Sequence, residues 1–121
     1  MIIETPYELD EIVYHVYTPK RPADPQDKGK WFVTPGFVNR FLYGKKGLSI
    51  DITWVGTISA KEVGVTLFDD VESAIEVAFQ KNVAVGNDAI TLKEETRAIV
   101  EKNTKYILGE DDEFQQICIC I

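Results

Sequence analysis

Apolar residues fall into short, β-branched and aromatic runs through the first half of the chain and into longer-period stripes through the second. That change of period predicts strands first and helices afterwards. Ile12-Val13-Tyr14-His15-Val16-Tyr17, bounded by Asp10-Glu11 and Thr18-Pro19, has the composition of a strand. Residues 19–30 hold three prolines and no apolar periodicity, and are expected to form a long loop. Trp31-Phe32-Val33 and residues 37–42 are the next strand candidates. Between them Thr34-Pro35-Gly36 marks either a turn or a sharp bend in one long strand. Gly44-Lys45-Lys46-Gly47 is a hairpin turn, and residues 49–55 then alternate with Ile50, Ile52 and Trp54 on one face. After a break at Gly56, residues 63–68 form a last short strand before the helices.

Asp69 or Asp70 caps the first helix, and Val71, Ala74, Ile75, Ala78 and Phe79 place an apolar stripe on one face of residues 71–81. A second start signal, Thr91-x-x-Glu94, opens a helix from Leu92 to about Lys105. Leu92, Ile99 and Tyr106 share one of its faces; Lys93, Glu94, Arg97 and Glu101 are expected outward, so that it packs less deeply than the first. Gly109 ends this region, Glu110-Asp111-Asp112-Glu113 makes an acidic loop, and residues 114–121 are expected to form a terminal strand.

Asp10, Val13, Tyr14 and Val16 as an opening strand, with Thr66-Leu67-Phe68, Asp70 and Ala74 as a closing strand and helix cap, resemble a family of small SH3-like barrel proteins of unknown function. The family is found in phages and mobile elements of Gram-positive bacteria. The resemblance spans residues 9–81 and implies an α+β domain: a five- or six-stranded, partly open SH3-like barrel with a packed helix. Residues 82–121 then extend the single domain, 1–121, by a helix and a strand. No activity comes with the resemblance.

At 121 residues, 45% of them hydrophobic, the chain is long enough to bury a core. No apolar run approaches the length of a membrane span, and Met1–Pro6 lacks the basic start of a secretory signal, so a cytoplasmic protein without a membrane partner is expected. Cys118 and Cys120, with His15 the sole histidine, fall short of a four-ligand zinc site. Reduced, metal-free thiols are expected, since two cysteines separated by one residue on a strand bridge only under strain. His15 has no neighbouring nucleophile in sequence, and Gly44–Gly47 has neither the length nor the Ser/Thr of a phosphate loop. No cofactor and no enzymatic activity are expected.

The net charge of −7 is unevenly distributed. Residues 1–60 carry seven basic and seven acidic side chains, residues 61–121 six and thirteen. Two surfaces therefore compete as binding sites. One is basic and aromatic: Trp31, Phe37, Tyr43, Lys45 and Lys46, amid Lys20, Arg21, Lys28, Lys30 and Arg40. The other is the acidic run Glu110, Asp111, Asp112 and Glu113. The expected function is non-enzymatic binding to another macromolecule, with a protein as the favoured partner. Two alternatives stand beside it: an inhibitor of host defence, of the anti-CRISPR type, that presents the acidic half as a nucleic-acid mimic, and direct nucleic-acid binding through the basic loops. For both surfaces the simpler reading is solvated charge over a packed core.

Overall fold

A computed structural model describes residues 5–21 and 24–114. Five antiparallel strands, β1 (Ile12–Tyr17), β2 (Phe32–Gly44), β3 (Gly47–Thr53), β4 (Gly56–Ser59) and β5 (Leu67–Phe68), form one sheet in the order β4-β3-β2-β1-β5. Two helices follow, α1 (Val71–Ala84) and α2 (Ala89–Ile107). The fold is α+β, as expected, but the sheet is open. β4 and β5 are its two edges and do not pair, so the expected SH3-like barrel is not met beyond the α+β level.

Both faces of the central strands are covered. In β1, Val13 and Val16 are each buried although they project to opposite sides. Strand register carries these sides across the sheet. Val13, Val38, Ile50, Ile52 and Leu67 pack on one face with Tyr7, flanked by Phe41, Val55, Ile58 and Val63. Val16 and Val33 lie on the other, beneath Ala74, Ile75, Ala78 and Val100 of the helices.

The Pro35-Gly36 pair makes a bend and not a turn, because β2 runs unbroken from Phe32 to Gly44. Gly36 is required there by close approach. A Cβ at this position would lie 2.3 Å from the Thr53 carbonyl oxygen and 2.7 Å from Cγ2 of Ile52, so only a bare α-carbon lets β3 fold this tightly over β2. A bulge at Asn39, between Val38 and Arg40, adds local twist further along the strand.

Residues 63–68 are strand only at Leu67–Phe68, since Glu62 to Thr66 fold into a tight turn whose Glu62 carbonyl accepts the Val65 and Thr66 amides at 2.9 and 3.0 Å. β4 is an extra strand where a break was expected. Asp70, not Asp69, caps α1: its carboxylate accepts the Glu72 and Ser73 amides at 3.2 Å each and the Ser73 hydroxyl at 2.7 Å. The Ser73 hydroxyl and the Glu72 amide hold the Asp70 carboxyl below its ordinary range.

The buried stripe of α1 is Ala74, Ile75, Ala78 and Asn82. Phe79, expected in that stripe, is half-buried toward α2, with the Lys93 ammonium 5.0 Å from its ring centre.

α2 begins earlier than its sequence signal. Asp88 is the cap, accepting the Thr91 amide at 3.3 Å and the Thr91 hydroxyl at 2.9 Å. Its buried face is Ala89, Leu92, Thr96, Val100 and Asn103, which displaces the expected Leu92, Ile99, Tyr106 face by a fraction of a turn. Ile99 and Tyr106 are half-buried on its flank. Lys93 and Arg97 turn toward α1, where Arg97 grips both Glu72 carboxylate oxygens and Lys93 lies 3.7 Å from Glu76. Both pairs are exposed and screened by solvent, so they join the two helices without adding much to stability. The expected terminal strand, with Cys118 and Cys120, lies outside the described residues apart from Phe114, which is not in a strand.

Candidate binding surface

The basic and aromatic candidates separate in space. Trp31 opens β2 from beneath α1, where its ring packs half-buried against the helix-side core and lies 4.6 Å from the Lys81 ammonium. Its backbone is held as firmly as its ring. The Asn82 carboxamide accepts the Trp31 amide at 2.9 Å and donates to the Trp31 carbonyl at 3.1 Å, as a neighbouring strand would. Asn87 completes the clamp, donating to Asn82 Oδ1 at 2.9 Å and to the Gly29 carbonyl at 3.1 Å. Phe37 is half-buried in mid-strand, on the helix-covered side with Val33 and Pro35. Neither is exposed as the tip residues are.

Tyr43, Lys45 and Lys46 do come together, at the tip of the β2–β3 hairpin. The bulge at Asn39 and the two-residue turn between Gly44 and Gly47 send this hairpin out beyond the sheet's packed centre, so that residues 42–46 are all exposed. Tyr43 is 70% exposed and Leu42 40%, on opposite faces of the same strand. The Lys45 and Lys46 ammonium groups form no ion pair among the described residues. Arg40, one turn of the pleat inward, is anchored to Asp51 at 3.0 Å. The tip is thus a small apolar and cationic knob on a two-stranded arm.

The acidic candidates follow the end of α2. Asp111 accepts the Glu113 amide at 3.1 Å and Glu113 lies 3.7 Å from Lys102, whereas Glu110 and Asp112 are exposed and form no ion pair among the described residues. Placed at a helix C-terminus, they gain nothing from the macrodipole.

Trp54, expected on one strand face with Ile50 and Ile52, leaves the strand. Its φ of +76° is the left-handed conformation that a tight turn usually assigns to glycine or asparagine, and the turn is closed by the Val55 amide donating to the Ile52 carbonyl at 3.1 Å. The side chain is 45% exposed, with its ring stacked on Phe114 at 4.9 Å and edge-on to Tyr106 at 5.4 Å. These contacts tie the β3–β4 turn to the end of α2. The nearby Gly56 was the available sequence signal, since it marks a chain reversal just where the alternation predicts continuation.

His15 lies beside Tyr17, ring centres 6.2 Å apart and nearly parallel, and burial holds its pKa below the ordinary 6.5 against the opposing pull of Glu62. Tyr7, buried, donates its hydroxyl to the Leu67 carbonyl at 3.2 Å, and desolvation raises its pKa to about 12. Among the described residues no cluster of three or more His, Cys, Asp or Glu could hold a metal ion. Among them, too, no helix is long and apolar enough to cross a membrane. No family model, curated protein or solved structure matches the chain, and no family is assigned to it.

Proposed function

We propose that the protein is a non-enzymatic binding module whose contact surface is the β2–β3 hairpin tip, and that its partner is a protein. One observation carries this reading: Leu42 and Tyr43, exposed at 40% and 70%, sit beside two lysines that form no ion pair among the described residues. An aromatic side chain with few rotors contributes much contact area for little ordering cost, and adjacent cations select for an acidic neighbour. A protein partner is favoured over nucleic acid because the chain as a whole carries −7 and a phosphate backbone would feel that repulsion on either side of the arm. The resemblance to phage and mobile-element SH3-like proteins belongs to the same proposal and rests on the β1 strand and the Leu67-Phe68 to Asp70 junction.

The test is a photo-crosslinking residue in place of Tyr43 in the full chain, followed by affinity measurement with the captured partner. Tyr43→Ala and the pair Lys45→Glu with Lys46→Glu should each weaken binding about tenfold or more. Serine at Glu110 and Asp112 should leave it unchanged. If the serine variant loses binding and the tip variants do not, the acidic surface is the functional one. If the captured partner is RNA or single-stranded DNA, the nucleic-acid reading replaces this one.

A further inference from the structure

The two edges of the sheet differ in how they are finished. At β5 the outer side is occupied: the Leu67 carbonyl accepts both the Gly64 amide at 2.9 Å and the Tyr7 hydroxyl at 3.2 Å, and Val63 bridges back to Leu67. At β4 no described residue takes up the outer side. Gly56, Thr57 and Ser59 are exposed and Ile58 half-buried. Among the described residues no group outside β3 hydrogen-bonds the backbone of Gly56, Thr57 or Ile58. Natural sheets blunt such an edge with a lysine, a proline, a bulge or a covering element. Among the described residues β4 carries none of these, and only its length of four residues limits the edge.

Charge identifies what fits there. Residues 52–60 contain no charged side chain, in a chain with 33 acidic and basic residues among 121. Two copies of this chain carry the same net charge, and this neutral stretch, the one with a strand edge that no described residue outside β3 bonds, lets them meet without bringing like charges face to face. Strand pairing is also self-complementary, because a two-fold axis through an antiparallel pair returns each strand's own donors and acceptors to it.

We propose that the free edge of β4 pairs antiparallel with β4 of a second copy, joining the two sheets into one across a two-fold axis. The contact is held by backbone hydrogen bonds and opposed by net charge. Its dependence on salt therefore runs opposite to that of a charge-driven interface: association strengthens as salt shortens the Debye length to about 8 Å near 0.15 M. This contact is independent of the hairpin tip.

Sedimentation velocity of the full chain, from micromolar to near-millimolar concentration at low and moderate salt, tests the proposal. The expected result is a monomer–dimer equilibrium that shifts toward dimer with salt. Thr57→Lys and Thr57→Glu each place like charges across the axis and should weaken association about tenfold or more, while an equal mixture of the two variants restores it. Should either variant fold poorly, amide exchange in the wild-type chain reads the same contact, with the β4 amides that face away from β3 slowing as concentration rises while those bonded to β3 do not change. A chain that stays monomeric throughout overturns the proposal, as does a dimer indifferent to both substitutions or one that dissociates with salt. Tyr43→Ala should leave the dimer intact, which separates this contact from the hairpin surface.

Discussion

Replacing Asn82 by leucine removes three hydrogen bonds while keeping the number of side-chain heavy atoms, and so reads chiefly what the polar clamp contributes. Asn82 is 2% exposed and sits in line with Ala74, Ile75 and Ala78, where the helical pattern calls for an apolar residue. Its carboxamide meets the Trp31 amide, the Trp31 carbonyl and the Asn87 amide group at 2.9, 3.1 and 2.9 Å. Asn87 keeps a second acceptor in the Gly29 carbonyl, so its loss is the smallest. The two Trp31 groups have no such reserve. At about 1 kcal/mol per bond, with the apolar gain of leucine offsetting part, the net loss is about 2–3 kcal/mol, out of about 5–15 for a typical domain. Urea denaturation followed by tryptophan fluorescence measures it, because Trp31 reports on the region directly. Asn82→Asp is the companion variant: it keeps the acceptor but points a carboxylate at the Trp31 carbonyl, so it should be more destabilised at neutral pH than at acid pH, where the carboxyl regains a donor. An Asn82→Leu midpoint within about 0.5 kcal/mol of wild type would refute the reasoning, and would mean that water serves Trp31 as well as the clamp does.

Gly36→Ala should destabilise more than any other single-methyl addition to the sheet, because the new Cβ would stand 2.3 Å from backbone oxygen of Thr53, which cannot swing aside as a side-chain end could; thermal melting that matches wild type would show that β2 and β3 are not this close. Stability should also fall on acidification through 6.5, the ordinary histidine value, because His15 titrates lower in the folded chain and the unfolded chain therefore takes up the proton first. His15→Gln should flatten that part of a denaturation-against-pH profile, and an unchanged slope would exclude His15 as its source. At the alkaline end the Tyr7 contribution is complete below 10 and is lost as pH rises toward about 12, so Tyr7→Phe should be less sensitive to pH over that interval.

What could be read from the sequence was what neighbours in sequence decide. The strand at Ile12–Tyr17, the Gly44–Gly47 reversal and the helix start at Asp70 each depend on residues within a few positions of one another, and each is found where it was expected. The hairpin tip was legible for the same reason, since a turn between two glycines must expose Lys45 and Lys46 and leaves Tyr43 little to pack against. Trp31 and Phe37 were not separable from Tyr43 by composition. Their burial is set by α1 and by the helix-side face of the sheet, and the partner that pins the Trp31 backbone is 51 residues away. The polar members of the buried stripes, Asn82, Thr96 and Asn103, escaped a search for apolar periodicity because partners supplied by the fold cancel the cost of burying them. β4 escaped it too, with Ile58 its single large apolar residue, and the left-handed Trp54 that precedes it broke the alternation on which the strand assignment rested. Whether the sheet closes is likewise a property of its two edges, which no local window contains. Strand β5 is finished by its own turn and by Tyr7, whereas β4 has an uncharged edge that no described residue outside β3 bonds, a difference set by partners far apart in sequence.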